Sequence, residues 1–214
     1  MVRLRGLAAL ALVLCGAGAG RGEEFYYVLV FGSHQGPGCV RYSHTFATFV
    51  RATGRGPCAQ SYRLDAFTIS WLPRTLDVRP LALAPEAGTN LGLADTLRWA
   101  QSTGQRVSLW GPYQVERDLF DRALAQARLL ESGQVCYKAL DAFRPTDVVS
   151  NCVHAVTSVA GGHRPRLLCP GCGPAASHVA ALRFAPWVID CARRHEWVAD
   201  RLGLGAWPLV RREL

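Results

Sequence analysis

The stretch Glu23–Ser33, "EEFYYVLVFGS", decides the fold. After two acids it runs through seven uncharged aromatic, β-branched and aliphatic residues, a composition that favours extended backbone over helix. The turn-rich "HQGPG" at 34–38 ends it. A second strand follows in "YSHTFATFVRAT" (42–53), where His44, Phe46, Thr48 and Val50 alternate with Thr45, Ala47, Phe49 and Arg51. "GRGPC" breaks it, and "YRLDAFTISWLP" (62–73) reads as a third strand stopped by Pro73. Three consecutive strands joined by short turns predict a small antiparallel sheet.

Helical spacing begins beyond the sheet. "LGLADTLRWAQSTG" (91–104) places Leu93, Leu97 and Ala100 on one face, with Gly104 to end the helix. "RVSLWGPYQV" (106–115) is extended and bends at Gly111-Pro112. "ERDLFDRALAQARLLESG" (116–133) is the clearest helix. Its stripe is Leu119, Phe120, Ala123, Leu124, Ala127 and Leu130, with acids in the first turn and Gly133 at the end. "VCYKALDA" is extended again. "RPTDVVSNCVHAVTSVAGG" (144–162) then puts Val148, Val149, Cys152, Val153, Val156 and Val159 on one side of a helix, capped by Thr146, Asp147 or Ser150. The tail offers a loop at "GHRPRLLCPGCGP", a short apolar segment at "FAPWVID", a helix at "RHEWVADRLGL" and a final strand at "WPLVRREL". The simplest account is α+β, a small antiparallel sheet packed against several helices in one domain spanning 20–214.

Residues 1–19 stand apart from that domain. Arg3 and Arg5 precede an apolar run, and small residues then lead to an Ala17-x-Ala19 pattern, the three parts of a secretory signal peptide. The expectation is export, periplasmic or extracellular, after cleavage. No segment is long and apolar enough to predict an integral membrane span. With 50% hydrophobic and 19% charged residues the chain can bury a core and does not have the composition of a disordered polymer. Its net charge is +8, and the signal segment accounts for two of the positive residues. The positive residues are nearly all arginine and scattered, with paired clusters only at "CARRHEW" and "LVRREL", so they read as a basic surface and not as a nucleic-acid face.

Seven cysteines remain beyond the signal segment, namely Cys39, Cys58, Cys136, Cys152, Cys169, Cys172 and Cys191. An oxidising environment permits pairs, but an odd number leaves at least one thiol free. Cys152 draws attention because it lies near the start of its helix, where backbone N–H groups favour thiolate over thiol. The competing reading is a small buried hydrophobe among valines. A nucleophilic cysteine needs a base, and His154 is ruled out, since two residues on a helix turn it by roughly 200°. His44, at the start of the second strand, is the better candidate. His34, His163, His178 and His195 have weaker claims.

The order of these pieces resembles the circularly permuted, NlpC-type papain-like hydrolases, specifically the lecithin:retinol acyltransferase group. The matching residues are His44 in "SHTFATFV", Tyr137 in "VCYKALD" and Asn151-Cys152-Val153-His154, across residues 25–160, with 161–214 as a C-terminal extension. The chain departs from the family's pattern at Val153, where an acid is usual, and at Phe46, where a glycine is customary. The resemblance implies Cys152 as nucleophile, His44 as base, and a polar residue on the next strand, Ser70 or Asp65, to orient His44. It implies acyl transfer or hydrolysis at an amide or ester of a small-molecule, lipid or peptide substrate, without a cofactor or metal. Two readings compete with it. One is a non-catalytic exported envelope or binding protein on the same scaffold. The other is a zinc- or disulfide-stapled module around Cys169 and Cys172 in "CPGC", with His163, His178 or Cys191 as further ligands.

Overall fold

The computed structural model describes residues 22–36, 43–56, 58–141, 148–161 and 173–214. The opening strand is β1 (Glu23–His34), paired along its full length with β2 (Ser43–Gly54), from Glu23 opposite Gly54 to His34 opposite Ser43. The third predicted strand is two. β3 (Arg63–Ile69) pairs with β2, and after Ser70 the chain leaves the sheet as β4 (Trp71–Pro73). The β2–β3 ladder starts at Ala47 opposite Ile69, so Ser43–Phe46 extend beyond the end of β3. That uncovered corner is where the candidate site forms.

β5 (Glu86–Asn90) lies against β4, and α1 (Leu93–Ser102) follows. β6 (Arg106–Val115) joins the other edge of β1, with the Gly111–Pro112 peptide cis and a register shift opposite Val28–Val30. α2 (Arg117–Glu131) has the predicted stripe, and Leu119, Phe120, Ala123, Ala127 and Leu130 are buried. Two short strands, β7 (Cys136–Tyr137) and β8 (Val149–Ser150), pair in parallel and lead into α3 (Cys152–Thr157). α4 (Gly173–Phe184), α5 (Glu196–Arg201) and β9 (Leu209–Arg212) complete the fold. The main sheet runs β3-β2-β1-β6-β9, antiparallel except for the β6–β9 pair, and the small one β4-β5-β7-β8. The architecture is α+β, with the sheet packed against helices.

Side chains alternate across a strand, so β1 feeds two cores. Tyr26, Val28 and Val30 meet α2, α3 and α4 through residues such as Phe120, Val156 and Phe184. Tyr27, Leu29 and Phe31 meet α1 and α5 through Leu97, Trp99 and Val198. A strand covered on both faces has no polar side to show, which explains the unbroken apolar run of Phe25–Phe31.

Two further expectations differ from the structure. The helix expected from about residue 146 begins at Cys152, because Val149–Ser150 are drawn into the small sheet and Asn151 serves as cap. The tail contains α4, most of which lies between the expected loop and the expected apolar segment, where the sequence predicts no element. Residues 173–214 supply this helix, α5 and an in-register strand to the same cores as residues 23–161. Among the described residues no helix is long and apolar enough to cross a membrane.

Candidate active site

The site grows from the corner that β3 leaves open. His44 is the second residue of β2 and is 1% exposed; its ring lies against Phe46 at 5.4 Å and edge-on to Trp99 of α1 at 5.7 Å. α3 packs against β2, and the backbone of Thr45, the residue after His44, together with that of Cys152 and Val153, favours the thiolate form of Cys152. The fold therefore brings the cysteine at a helix start to the strand segment that carries the histidine, 108 positions earlier in the chain.

Ser70 lies where β3 gives way to β4. Its Oγ is 2.8 Å from His44 Nε2 and 2.8 Å from Thr96 Oγ1, which is 2.9 Å from the carbonyl oxygen of Gly92. Asn90 Oδ1 accepts from the Ser70 amide at 2.7 Å, holding the kink in place. Thr96 Oγ1 donates to Ser70 Oγ, which shares the next hydrogen bond with His44 Nε2. The other ring nitrogen, Nδ1, is buried and has no hydrogen-bond partner among the described residues, the Cys152 sulfur included. Asp65, the other candidate for orienting His44, instead pairs with Arg51 and Arg63 at 3.0 Å each.

The signature around Cys152 has a structural division of labour. Asn151 Oδ1 accepts from the His154 amide at 2.8 Å and caps α3. Asp141, 2% exposed, receives the Asn151 amide at 3.0 Å and its side-chain nitrogen at 2.8 Å, and lies 2.6 Å from His154 Nδ1. His154 is thus turned away from catalysis and into the clamp that sets the helix start. Tyr137 is buried beside this group. Burial first, then the negative charge of an ionised Cys152 and of Asp141, holds its phenol well above the ordinary value.

Burial also governs the two reactive groups. It pushes the Cys152 thiol up to about 11, outweighing the amides that favour thiolate. It pushes the His44 imidazole down to about 3. At neutral pH the resting pair is neutral thiol and neutral imidazole.

Cys58, Cys136, Cys152 and Cys191 are free thiols. Cys39, Cys169, Cys172 and His163 lie outside the described residues, as does the segment 1–19, and among the described residues no cluster suits a metal ion. Sequence reasoning missed Thr96, Asp141 and the Thr45 amide. A signal existed only for Thr96, a polar residue four positions before Ala100 on the buried face of α1. The other two depend on long-range packing. No protein-family model matches the chain, and comparisons with curated proteins and solved structures returned no significant match.

Proposed function

We propose that the chain is an exported thiol hydrolase or acyltransferase acting on an amide or ester, with Cys152 as nucleophile, His44 as base and Ser70 as the residue that orients His44. The observation that carries this reading is the packing of α3, which starts at Cys152, against β2 beside a buried imidazole whose Nε2 is bonded to Ser70. As sulfur attacks a carbonyl carbon, the thiol proton passes to the His44 imidazole and a C–S bond forms. The tetrahedral intermediate then expels the amine or alcohol, which takes that proton. Water or an acceptor alcohol or amine opens the thioester, and the thiol is restored. Export rests on the three-part pattern of residues 1–19.

A second reading has its own support. Both groups are desolvated and uncharged at rest, as expected of a packing contact on a non-catalytic scaffold. The pH profile of acylation by an electrophilic ester probe separates the two. A base-assisted thiol reacts at a rate nearly flat from pH 6 to 9, and His44→Ala slows it by roughly 10²-fold or more. A merely buried thiol reacts tenfold faster per pH unit over that range and ignores His44→Ala; that result would retire the enzyme reading.

A further inference from the structure

The end of the main sheet that β1 reaches at His34 holds positive charge without a counter-charge. His34 lies directly opposite Arg106, and Ser108 lies between Gly32 of β1 and Val210 of β9. Arg212 is opposite Trp110. Residues in register, and alternate residues along a strand, share a face, so His34, Arg106, Ser108, Trp110 and Arg212 stand on the side of the sheet that α4 covers at Gly32. Arg212 reaches back along that face, its Nε donating to Ser108 Oγ at 3.4 Å, one alternate position from Arg106. Both guanidiniums therefore bear on the His34 imidazole, which burial, Arg106 and Arg212 together hold below its ordinary value. His178 of α4 lies over Trp110, with ring centroids 6.0 Å apart.

Nothing near this corner neutralises it. β6, β9 and α4 contain no acidic residue. The acids of β1, Glu23 and Glu24, are at its other end, roughly 33 Å away at the strand rise of ~3.3 Å per residue. Glu213, which follows β9, lies against Arg194 instead, at 3.9 Å. Among the described residues neither Arg106 nor Arg212 is in an ion pair, although both are exposed. Like charges gathered on one face repel, and a bound dianion turns that repulsion into attraction. The forked donors of two guanidiniums match the oxygens of a phosphate group, whereas a carboxylate neutralises only one of the two charges.

We propose that this corner binds a phosphomonoester dianion, its oxygens held by Arg106 and Arg212 with His34 beside them. The site is separate from that of Cys152. Thr45, whose backbone favours the Cys152 thiolate, is opposite Gly32, and Gly32 is opposite Ser108. Thr45 and Ser108 are thus two strands apart, roughly 10 Å at ~4.8 Å per strand.

Titration of the full chain with inorganic phosphate at about pH 8, where phosphate is a dianion, tests this against acetate at matched ionic strength, read by the nuclear magnetic resonance of the His34 ring. The expected result is a saturable shift with phosphate and an affinity at least tenfold above that for acetate. Arg106→Gln and Arg212→Gln each weaken phosphate by roughly tenfold or more, and Cys152→Ala changes nothing. Vesicles of phosphatidylcholine containing phosphatidic acid sort the source of the group. Co-sedimentation that Arg212→Gln abolishes assigns it to a lipid headgroup; phosphate binding without co-sedimentation assigns it to a soluble ester. Equal affinity for the two anions, a response that follows ionic strength alone, or phosphate binding that both arginine variants retain overturns the proposal.

Discussion

His44 is buried to the last atom yet bonded through one nitrogen only. The pH dependence of stability follows from that environment. The folded imidazole titrates at about 3 and the unfolded one at 6.5, so below pH 6.5 the unfolded chain binds a proton that the native chain does not. Stability from this residue is fully present above pH 6.5 and falls by about 1.4 kcal/mol per pH unit as pH drops toward 3. His44→Gln lacks that titration. Its stability deficit relative to the parent should shrink by about 2 kcal/mol between pH 7.5 and pH 5 in denaturant unfolding; a constant deficit would mean the imidazole is not held neutral. Ser70 belongs to the same scale. Ser70→Ala removes the hydroxyl bonded to His44 Nε2, so the nitrogen-15 spectrum of His44 should change and acylation of Cys152 should slow on the order of tenfold. An unchanged spectrum would show that the Ser70 hydroxyl does not hold the imidazole. Ser70 was legible from the sequence only as one of two polar residues on the next strand. The kink after Ile69, which turns it toward His44 and leaves Asp65 with its arginines, is a tertiary feature.

At the scale of elements, α3 and α4 show opposite limits of sequence reading. α3 is only six residues long, too short to be stable by propensity, and its start is imposed by Asn151 and the Asp141 clamp. A valine-rich run before it therefore read as helix although its first residues are sheet. α4 was unreadable for a different reason. Its buried side carries small residues, Ser177, Ala180 and Ala181, while Val179 and Leu182 lie on the outside at 38% and 45% exposure, so no amphipathic stripe marks it. Small residues are what its packing requires. Gly32 of β1 lies under the helix, and a Cβ there would stand 2.3 Å from Ser177 Oγ and 2.5 Å from its Cβ, while Thr45 Oγ1, opposite Gly32, bonds Ser177 Oγ at 2.8 Å. Gly32→Ala should therefore destabilise the fold by about 1–3 kcal/mol in denaturant unfolding, through overpacking. Because the Thr45 backbone also favours the thiolate form of Cys152, the same substitution should disturb the reactivity of the thiol. A neutral effect on both would mean that α4 can lift without cost.

The main sheet has a core on each face, and β1, β2 and β6 contribute residues to both. Neither core can open without breaking strands that the other needs. Near-ultraviolet circular dichroism and intrinsic fluorescence should accordingly trace one coincident unfolding transition. Two separated transitions would show that the α1–α5 face and the α2–α4 face fold independently. The sequence by itself determined the extended runs of β1, β2, β3, β6 and β9, the helices α1, α2 and α5 and the α+β class, because side-chain period, β-branching, glycine stops and turn residues act within a few positions of each other. It also marked Cys152, His44 and Ser70 as chemically notable. Only the tertiary structure decided that Thr45 meets Cys152, that Ser70 and not Asp65 holds His44, and that His34, Arg106 and Arg212 share one corner. These are contacts between residues tens of positions apart, selected by how two cores close on a sheet, and no local pattern encodes them.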